Sequence, residues 1–572
     1  MNSKIAIVLL ISLVLLNASV LPTLSAVEPA IGGTLVIGLV SEPTVLDSAS
    51  GSWNVAPFAG AILNSLMETD EKMQTVPGLA ESWSVDSAKK AYIFKLRKGV
   101  KWHDGKPFTA EDVKFTFEEL LPKYDNRGEY LQGTKVEIKS ETEIVMTPGE
   151  FAPGIHLPSM ASVDWPIFPK HLLEGKDFLK SDYRKAPVGT GPYKFKDWVK
   201  GSHVILERNE NYWRPDKPYI SQIIVKFIPD SAVLLASLTK GEVDYVYRGL
   251  PYEAYDSMKK SANLQVFVDY KPNYKVYAVS NLKHPVLSNR LVRKAISHAI
   301  NKTDIISKAT VGLSRASDRI FAPEFLADNP NLVAYPYNPK KAEELLDTAG
   351  YPKKSDGKRF AVELLVRTGE ADETKAADLM KDYLRAVGID MTIKSADFNT
   401  VLQLEADYKY DICIVKRWIL PIFSYQNHHS SFIIKGRTLV NVAQYSNPDA
   451  DRAYEEWRFG ATDQDRAKAL LKVESIITDD LPEIPLFDVA WMYVWNKRIK
   501  NAFVPARNWL QCESPENLYI EVKTPPTTTM TTKTTVAPPA EAAPPYSTYA
   551  AIVVVLVILG MVVFRFKSKR KT

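Results

Sequence analysis

Cysteine is scarce in this sequence, which contains only Cys413 and Cys512. The two residues allow either a disulfide, in an oxidising compartment, or two buried free thiols, and the sequence leaves both open. Neither cysteine lies near the N-terminus, so retention at a membrane through a lipid-modified N-terminal cysteine is excluded.

The motifs of several large enzyme classes are also missing. The sequence contains no His-Glu-x-x-His, no Gly-x-Ser-x-Gly and no phosphate loop ending in Gly-Lys-Ser/Thr. The segment GTGP at 189–192 predicts a rigid turn, because Pro192 has no backbone N–H to donate to a phosphate. His428 and His429 are poor joint metal ligands, because adjacent residues of a strand point to opposite faces. We therefore expect no catalysis, no cofactor and no metal site.

A basic surface on the body is missing as well. The formal net charge is +5, but six of the 72 basic residues lie in the two end segments, against 67 acidic residues in the chain. The body is therefore close to neutral, which argues against a nucleic-acid partner. The six end residues are Lys4, Arg565, Lys567, Lys569, Arg570 and Lys571.

The first 26 residues have the order of a secretory signal peptide. Lys4 precedes an apolar run over 5–16, and small and polar residues follow up to Ala26. Residues 1–26 therefore predict secretion, which places the body outside the cell.

The C-terminal segment has the pattern of a membrane anchor. Residues 550–564 form an uninterrupted apolar run, and flanking aromatic and basic residues extend it to a spanning helix over 546–566. The basic tail 567–572 places that end in the cytoplasm. Residues 524–545 are rich in Thr and Pro and predict an extended stalk. The predicted topology is a single-pass protein of the cell membrane with a large extracellular body.

Between these ends, apolar runs of strand length alternate with segments that carry helix start and stop signals. Thr109 is a typical N-cap, and Gly350 ends a helix that Asn338 and Pro339 begin. Repeated helix-then-strand units favour an α/β fold with mostly parallel sheets. The predicted strands are 34–39, 91–96, 389–393 and 410–415. One predicted helix begins at 109, a second begins at 338, and a third spans 371–387.

Several ordered motifs recur through the body. The stronger ones are GGTLVIGLVSEP at 32–43, VPGLAESW at 76–83, FKLRKGVKWHDG at 94–105, PFTAEDV at 107–113, PVGTGPY at 187–193 and ERNENYW at 207–213. Weaker ones are GEVD at 241–244 and YNPKKAEELL at 337–346. In this order and spacing they resemble family 5 extracellular solute-binding proteins, the dipeptide/oligopeptide-binding type of ABC importers. The resemblance covers essentially the whole body.

The resemblance implies a periplasmic-binding-protein-like type II fold with two main lobes, an inserted lobe and hinge closure over a ligand. It also implies ABC permease subunits, with their ATPases, as partners. The implied lobe I comprises 31–58, 187–280 and 490–523, the inserted lobe II comprises 59–186, and lobe III comprises 281–489.

The resemblance also identifies a candidate binding segment. Peptide binders of this family carry a Trp-x-x-Asp segment after a strand of the third lobe, and its Asp pairs with the free amino group of the peptide. Here Trp418 is kept, and Pro421 stands where the carboxylate is expected. Trp418 is predicted either to line the pocket or to pack in the core, with its position favouring the pocket wall. Arg417 is predicted either to pair with a ligand carboxylate or to lie in solvent.

Further candidates come from the neighbouring loop and from the first strand. The predicted loop 424–429 offers neutral donors and acceptors suited to hydroxyl groups, including Tyr425 and His428. By family position, the cleft also receives Glu42, Trp53 and Asn54.

Three hypotheses for function remain open at this stage. An oligopeptide ligand is what the family implies. An oligosaccharide is the alternative, because the amine-pairing Asp is missing and aromatic, amide and imidazole groups are present. A surface-layer or adhesion protein without transport is the third.

Asn301, in the sequence Asn-Lys-Thr, is a candidate site of glycosylation.

Overall fold

The structure is a computed structural model that describes residues 29, 31–49, 56–70, 74–125, 128–162, 165–246, 249–270, 274–321, 326, 328–418, 420–502 and 515–521. These residues belong to one compact unit, Met1–Glu521. The predicted signal peptide, stalk, transmembrane helix and basic tail lie outside the described residues, and so do Trp53, Asn54 and Cys512. In the described part of the chain, no helix has the length and apolar character that a membrane span requires.

The strands are numbered in chain order. They are β1 Thr34–Leu39, β2 Met67–Thr69, β3 Thr75–Pro77, β4 Ala80–Asp86, β5 Ala91–Leu96, β6 Lys135–Ser140, β7 Glu143–Thr147, β8 Tyr193–Val199, β9 His203–Arg208, β10 Gln222–Phe227, β11 Tyr245–Val246, β12 Leu264–Asp269, β13 Tyr274–Ser280, β14 Phe360–Arg367, β15 Ile389–Ala396, β16 Ile412–Trp418, β17 Glu483–Asp488, β18 Trp491–Asn496, β19 Ile499–Lys500 and β20 Tyr519–Ile520.

The helices are numbered in the same way. They are α1 Ala56–Ile62, α2 Ala110–Phe115, α3 Leu121–Tyr124, α4 Pro153–Met160, α5 Lys170–Leu173, α6 Ser231–Lys240, α7 Tyr255–Lys260, α8 Arg290–Ala299, α9 Lys302–Ala309, α10 Pro339–Thr348, α11 Ala371–Ala386, α12 Phe398–Ala406, α13 Pro421–His428, α14 Pro448–Phe459 and α15 Asp463–Asp480. A π-helical turn, Thr116–Leu120, joins α2 to α3.

Three larger sheets organise these elements. The first has the strand order β12-β18-β11-β1-β10-β9-β8, the second β15-β14-β16-β13-β17, and the third β4-β5-β7-β6. We call them the seven-stranded, five-stranded and four-stranded sheets. The α/β class is as expected, but the prediction of mostly parallel sheets is wrong. Only β1 with β10 and β11, and β14 with β15 and β16, pair in parallel among the described strands. Short connections such as β4–β5 and β8–β9 join neighbouring strands as hairpins, which are antiparallel.

The local signals in the sequence correspond to elements of the structure. Strand β1 has the predicted bounds, and α11 leads into β15 as expected. Asn338 caps α10 by accepting a hydrogen bond from the N–H of Lys341 at 3.0 Å. Thr109 precedes α2 and donates its backbone N–H to the Asp112 carboxylate at 2.8 Å. These caps satisfy backbone groups that the first helical turn leaves unpaired, so they act within a few residues of sequence.

Two of the family-like motifs contact each other. In the turn at 102–105, His103 donates from Nε2 to the carbonyl of Gly191 at 3.0 Å and accepts at Nδ1 from the N–H of Gly189 at 3.1 Å. A Cβ on Gly189 would lie 1.8 Å from the Ile62 carbonyl oxygen, so this close approach requires glycine. The segment at 189–192 is therefore a structural turn, as its proline predicted.

The lobe assignment of the described chain stays a prediction, but strand pairing qualifies one boundary. Strand β13, Tyr274–Ser280, precedes the expected boundary at 280, yet it pairs with β16 and β17 in the five-stranded sheet. Strand β12 is the last strand before it and pairs with β18 in the seven-stranded sheet. The change of sheet therefore falls between 269 and 274, before the expected position.

Acid should weaken this fold through two histidines, the buried His156 and the partly buried His103. Burial lowers the pKa of His103 and of His156 from 6.5 to about 4. Above pH 6.5 both are neutral in the folded and unfolded states, and between pH 6.5 and 4 only the unfolded chain takes up the protons. We expect each histidine to remove ~2 kcal/mol from the free energy of unfolding between pH 7 and pH 5.

Urea unfolding of wild type and His156→Gln at both pH values measures this effect. The variant loses the hydrogen bonds of His156 to Tyr92 and Tyr130 at either pH, so it starts from a lower stability. Its loss between pH 7 and pH 5 should be smaller than that of wild type, because one titrating group is gone. Equal losses would contradict the assignment.

Candidate ligand-binding site

The seven-stranded and five-stranded sheets are joined at two adjacent crossings of the chain. One crossing runs from β12 to β13 and the other from β17 to β18. The N–H of Val489 in the second crossing donates to the carbonyl of Tyr274, at the start of β13, at 2.8 Å. We call this region the junction. Two short crossings side by side are the arrangement expected of a hinge.

Three aromatic rings pack together at the junction. Tyr274 lies opposite Trp418 in the register of β13 and β16, with ring centroids 4.8 Å apart. Trp491, the first residue of β18, lies 6.2 Å from Trp418 at 26° and 5.8 Å from Tyr274. Trp418 therefore contacts residues of both crossings, which places it where the two sheets meet. Its role in ligand binding stays a prediction.

A buried charge cluster braces the same region. The carboxylate of Asp488, at the end of β17, lies 2.7 Å from Lys275 Nζ and 3.0 Å from the guanidinium of Arg315. The guanidinium carbon of Arg315 also lies 5.0 Å from the ring centroid of Tyr270, which follows β12. One arginine thus contacts residues next to both crossings, which restrains their relative position.

A second cluster faces the junction from α11. Lys416 contacts the carboxylates of Glu370 and of Asp372, the latter at 2.9 Å. Burial by itself lowers the pKa of Lys416, but the neighbouring carboxylates outweigh burial and hold it above its ordinary value. The cluster therefore keeps a positive charge in a buried setting.

Tyr252 reaches the junction from the chain segment between β11 and β12. Its hydroxyl donates to the carbonyl of Ala490 at 3.0 Å, and burial followed by the charge of Asp372 raises its pKa. The neighbouring Glu253 pairs with Lys375 of α11 at 2.9 Å. These contacts bring the seven-stranded part of the molecule against the start of α11.

Arg417 does not lie in solvent, which was one of its two predicted environments, and its pairing with a ligand carboxylate stays a prediction. It projects from β16 on the face opposite Trp418, is 8% exposed, and pairs with the carboxylate of Glu483 in β17. Burial raises the pKa of Glu483, but Arg417 and His428 lower it by more, so it lies below its ordinary value. The charge of Arg417 is therefore compensated within the protein.

Cys413 lies on the same face of β16. It is a buried free thiol whose Sγ donates to Glu405 Oε1 at 3.1 Å. Burial raises the pKa of the Cys413 thiol and that of the Glu405 carboxyl group. The thiol is therefore held in its protonated form and packs as a core residue.

The prediction of a loop at 424–429 is wrong, because most of that segment belongs to α13, which ends at His428. Pro421 lies in the first turn of α13, where its missing N–H costs no hydrogen bond. Ser424 Oγ lies 2.7 Å from the hydroxyl of Tyr454, and the hydroxyl of Tyr425 donates to Glu455 at 3.1 Å. The polar side chains expected to face a ligand are thus largely bonded inside the protein.

Ser424, His428 and Glu483 lie close together but do not form a catalytic triad. His428 Nδ1 lies 2.9 Å from the carbonyl oxygen of Ser424, to which it donates, so it cannot also accept the hydroxyl proton of Ser424. Its Nε2 lies 3.6 Å from Glu483 Oε2, and all three side chains are buried. Within the described residues, no group of His, Cys, Asp and Glu has the arrangement of a metal site.

Glu42 lies away from the junction. Its carboxylate accepts from the indole N–H of Trp198 at 2.8 Å and from the N–H of Gly201 at 3.1 Å, so it holds the β8–β9 hairpin. The structure brings Trp418, Arg417 and the residues of α13 together, and it leaves Glu42 apart from them. Sequence reasoning missed Tyr252, Tyr274 and Trp491. Tyr274 and Trp491 lie close to the predicted lobe boundaries at 280 and 490. Aromatic residues near these boundaries could have indicated the place where the lobes join.

Comparisons with known proteins add to this geometry. The sequence pattern described as "Bacterial extracellular solute-binding proteins, family 5 Middle" matches residues 74–427. The chain is 29% identical over 486 residues to the oligopeptide-binding protein AppA of Bacillus subtilis, covering 80% of this chain and 86% of that protein. It is 26% identical to the nickel-binding periplasmic protein of Escherichia coli, covering 60% of this chain and 68% of that protein.

Solved structures are similar as well. The structure of AppA from Bacillus subtilis in complex with a nonapeptide matches with a TM-score of 0.72 and 25% identity, covering 86% of this chain and all of that chain. The substrate-binding protein CtaP of an ABC transporter from Listeria monocytogenes matches with a TM-score of 0.75 and 23% identity, covering 86% of this chain and 99% of that chain. The second likeness concerns the fold alone.

Proposed function

The chain belongs to family 5 of the bacterial extracellular solute-binding proteins, and from that premise we propose that it captures oligopeptides outside the cell and delivers them to the permease of an ABC importer. The observation that carries the proposal is the junction, where two crossings join the sheets and Trp418 packs between Tyr274 and Trp491. Rotation about two such crossings opens and closes a cleft, and a ligand that contacts both sides stabilises the closed form.

The peptide class is supported by the relatives. AppA of Bacillus subtilis is named an oligopeptide-binding protein, and its similar structure holds a nonapeptide. Aromatic rings such as those at the junction suit the apolar side chains of a peptide. Position 421 supplies no carboxylate for the amino group, because the residue there is a proline, which lies in the first turn of α13. We infer that the peptide is held without an amine contact at this position.

The oligosaccharide alternative loses support from the contacts of α13. Its case relied on neutral donors and acceptors at 424–429, and Ser424, Tyr425 and His428 are buried and bonded to other protein groups. A sugar would have to displace these contacts and leave buried polar groups unpaired, which costs about 1–3 kcal/mol for each group. The remaining features therefore favour a peptide.

Titration calorimetry and thermal unfolding of the full chain test the proposal. Defined peptides from dipeptides to nonapeptides are compared with linear oligosaccharides of the maltose and cellobiose series. A peptide present at 100 times its Kd is expected to add ~2.7 kcal/mol to the free energy of unfolding and to raise Tm. Binding of a sugar but of no peptide would overturn the peptide assignment. Binding of neither class would favour the surface-protein hypothesis.

We also propose that residues 546–566 anchor the protein in the cell membrane by a single helix, with the body extracellular. The support is the apolar run 550–564 followed by the basic tail, since positive charges favour the cytoplasmic side. Alkaline extraction of membranes checks this. The full chain is expected to stay with the lipid, and a chain ending at 523 is expected to be released. Release of the full chain would contradict the anchor.

A further inference from the structure

A set of contacts links the four-stranded part of the molecule to the helices of the five-stranded part. We propose that this set is a latch that holds the binding cleft closed and thereby sets the affinity for ligand. We define the latch as Glu150 with α4 on one side and α14 on the other. The inference rests on the proposed function, and it concerns residues away from the aromatic rings of the junction.

The first contact of the latch is an ion pair. Arg458, near the end of α14, pairs with Glu150, which lies between β7 and α4. On its own side, Arg458 Nη1 also donates to Glu455 at 3.0 Å and to the hydroxyl of Tyr425 at 3.1 Å. Arg458 is 8% exposed, and its contacts with Glu455 of its own helix and Tyr425 of α13 hold the guanidinium in place. The pair is therefore preorganised on the α14 side.

The second contact is a close approach of two helices. A Cβ added to Gly154 of α4 would lie 2.7 Å from the carbonyl oxygen of Trp457 and 3.2 Å from its indole nitrogen. The helices therefore touch at the backbone, and only glycine leaves room for this contact. Helices whose backbones come this close make van der Waals contact only where their two surfaces match closely in shape.

Two more contacts flank the latch. Gln426 of α13 donates to the hydroxyl of Tyr130 at 3.5 Å, and Arg437 pairs with Glu129 at 3.3 Å. Tyr425 connects this region to α13, because its hydroxyl bonds to both Glu455 and Arg458. Helix α13 begins three residues after Trp418. The latch is thus mechanically connected to the end of β16.

Chain connectivity explains why these contacts report on closure. The chain leaves the four-stranded sheet after β7 and passes through β8–β12 before it enters the five-stranded sheet at β13. The two sides of the latch are therefore joined covalently only through the seven-stranded sheet. Rotation at the junction separates them without breaking any strand pairing. The latch contacts then contribute to the closed form and not to the open form, which is the condition for shifting the equilibrium.

Pulsed electron paramagnetic resonance measures the distance between two spin labels. It reports the equilibrium between the open and closed forms and needs no ligand. Spin labels are attached at the exposed positions Lys176 and Lys468 of the full chain, after substitution by cysteine, with Cys512→Ser to avoid extra labelling. Wild type is expected to show one dominant short distance. Glu150→Gln and Gly154→Ala are each expected to increase the fraction of longer distances.

The variants are chosen so that misfolding does not explain the result. The side chain of Glu150 is 55% exposed, so Glu150→Gln should not disturb the packing around it. Alanine favours helix formation over glycine, so Gly154→Ala should not weaken α4 itself. Glu137→Gln is the matched control, because Glu137 is 65% exposed and pairs with Lys139 of the same strand. It should leave the distances as in wild type. Unchanged distances in both latch variants would overturn the proposal.

Affinity supplies the second readout. With the peptide that binds wild type most tightly in the calorimetric panel, Kd should rise about threefold in Glu150→Gln and roughly tenfold in Gly154→Ala. Longer distances with an unchanged Kd would overturn the link between latch and affinity. If no peptide binds wild type, the proposed function fails while the spin distances still decide whether the latch exists.

Discussion

Replacing Trp418 by alanine is expected to abolish peptide binding, with a loss of affinity of at least ~100-fold. The indole packs against Tyr274 at 4.8 Å and Trp491 at 6.2 Å, where both crossings meet. If Trp418 lines the cleft as proposed, its removal takes away part of the wall and also loosens the contact between the two crossings. Calorimetry with a peptide that binds wild type measures the loss.

The same substitution also tests the competing core role of Trp418. A buried tryptophan changed to alanine costs about 3–5 kcal/mol of stability, which urea unfolding measures. Trp418→Phe keeps an aromatic ring and should retain most of the affinity. Trp198→Ala removes a half-buried tryptophan of the β8–β9 hairpin and should leave the affinity unchanged. Wild-type affinity in a folded Trp418→Ala would assign the residue to the core alone.

Replacing Glu483 by glutamine is expected to lower the free energy of unfolding by about 3–5 kcal/mol. Glu483 and Arg417 are 4% and 8% exposed, and the substitution leaves the guanidinium without its carboxylate in a buried setting. Glu405 lies on the same face, but burial raises its pKa, and its side chain bonds to the Cys413 thiol and not to Arg417. Urea unfolding at neutral pH measures the change.

Two further variants separate charge from packing. The double variant Arg417→Met with Glu483→Leu removes both charges and should recover most of the loss, because no buried ion remains unpaired. Glu363→Gln breaks an exposed pair with Lys394 at 3.5 Å and should change stability by less than ~1 kcal/mol. A loss below that value in Glu483→Gln would show that the buried pair contributes little.

The sequence pointed to part of the candidate site, and the wrong prediction of a loop within it has a physical cause. Trp418 was expected after a strand ending at 415, whereas β16 continues to Trp418 through Lys416 and Arg417. The segment 424–429 was predicted as a loop, because its polar run resembles loop composition. In the structure, Pro421 occupies a first helical turn and the polar groups bond to α14. A helix whose polar side chains find buried partners cannot be told from a loop by composition alone.

The sheets show the same limit. The alternation of helices and strands predicted parallel sheets, and the five-stranded sheet does contain two parallel pairs around β14. The seven-stranded sheet also contains two parallel pairs, around β1, but its other four pairs are antiparallel, and it holds β18, from a distant part of the chain, between β11 and β12. Such pairing depends on long-range packing, which local periodicity does not encode.

By itself, the sequence determined the family, the α/β class and the ends of many elements. These features depend on ordered motifs, on caps such as Asn338 and on apolar runs, all of which act over a few residues. Only the tertiary structure decided that Arg417 is paired with Glu483, 66 residues away, and that Tyr274 lies opposite Trp418. The physical reason is that strand register and burial bring distant residues together. The environment of a charged or aromatic side chain then follows from that packing and not from its sequence neighbours.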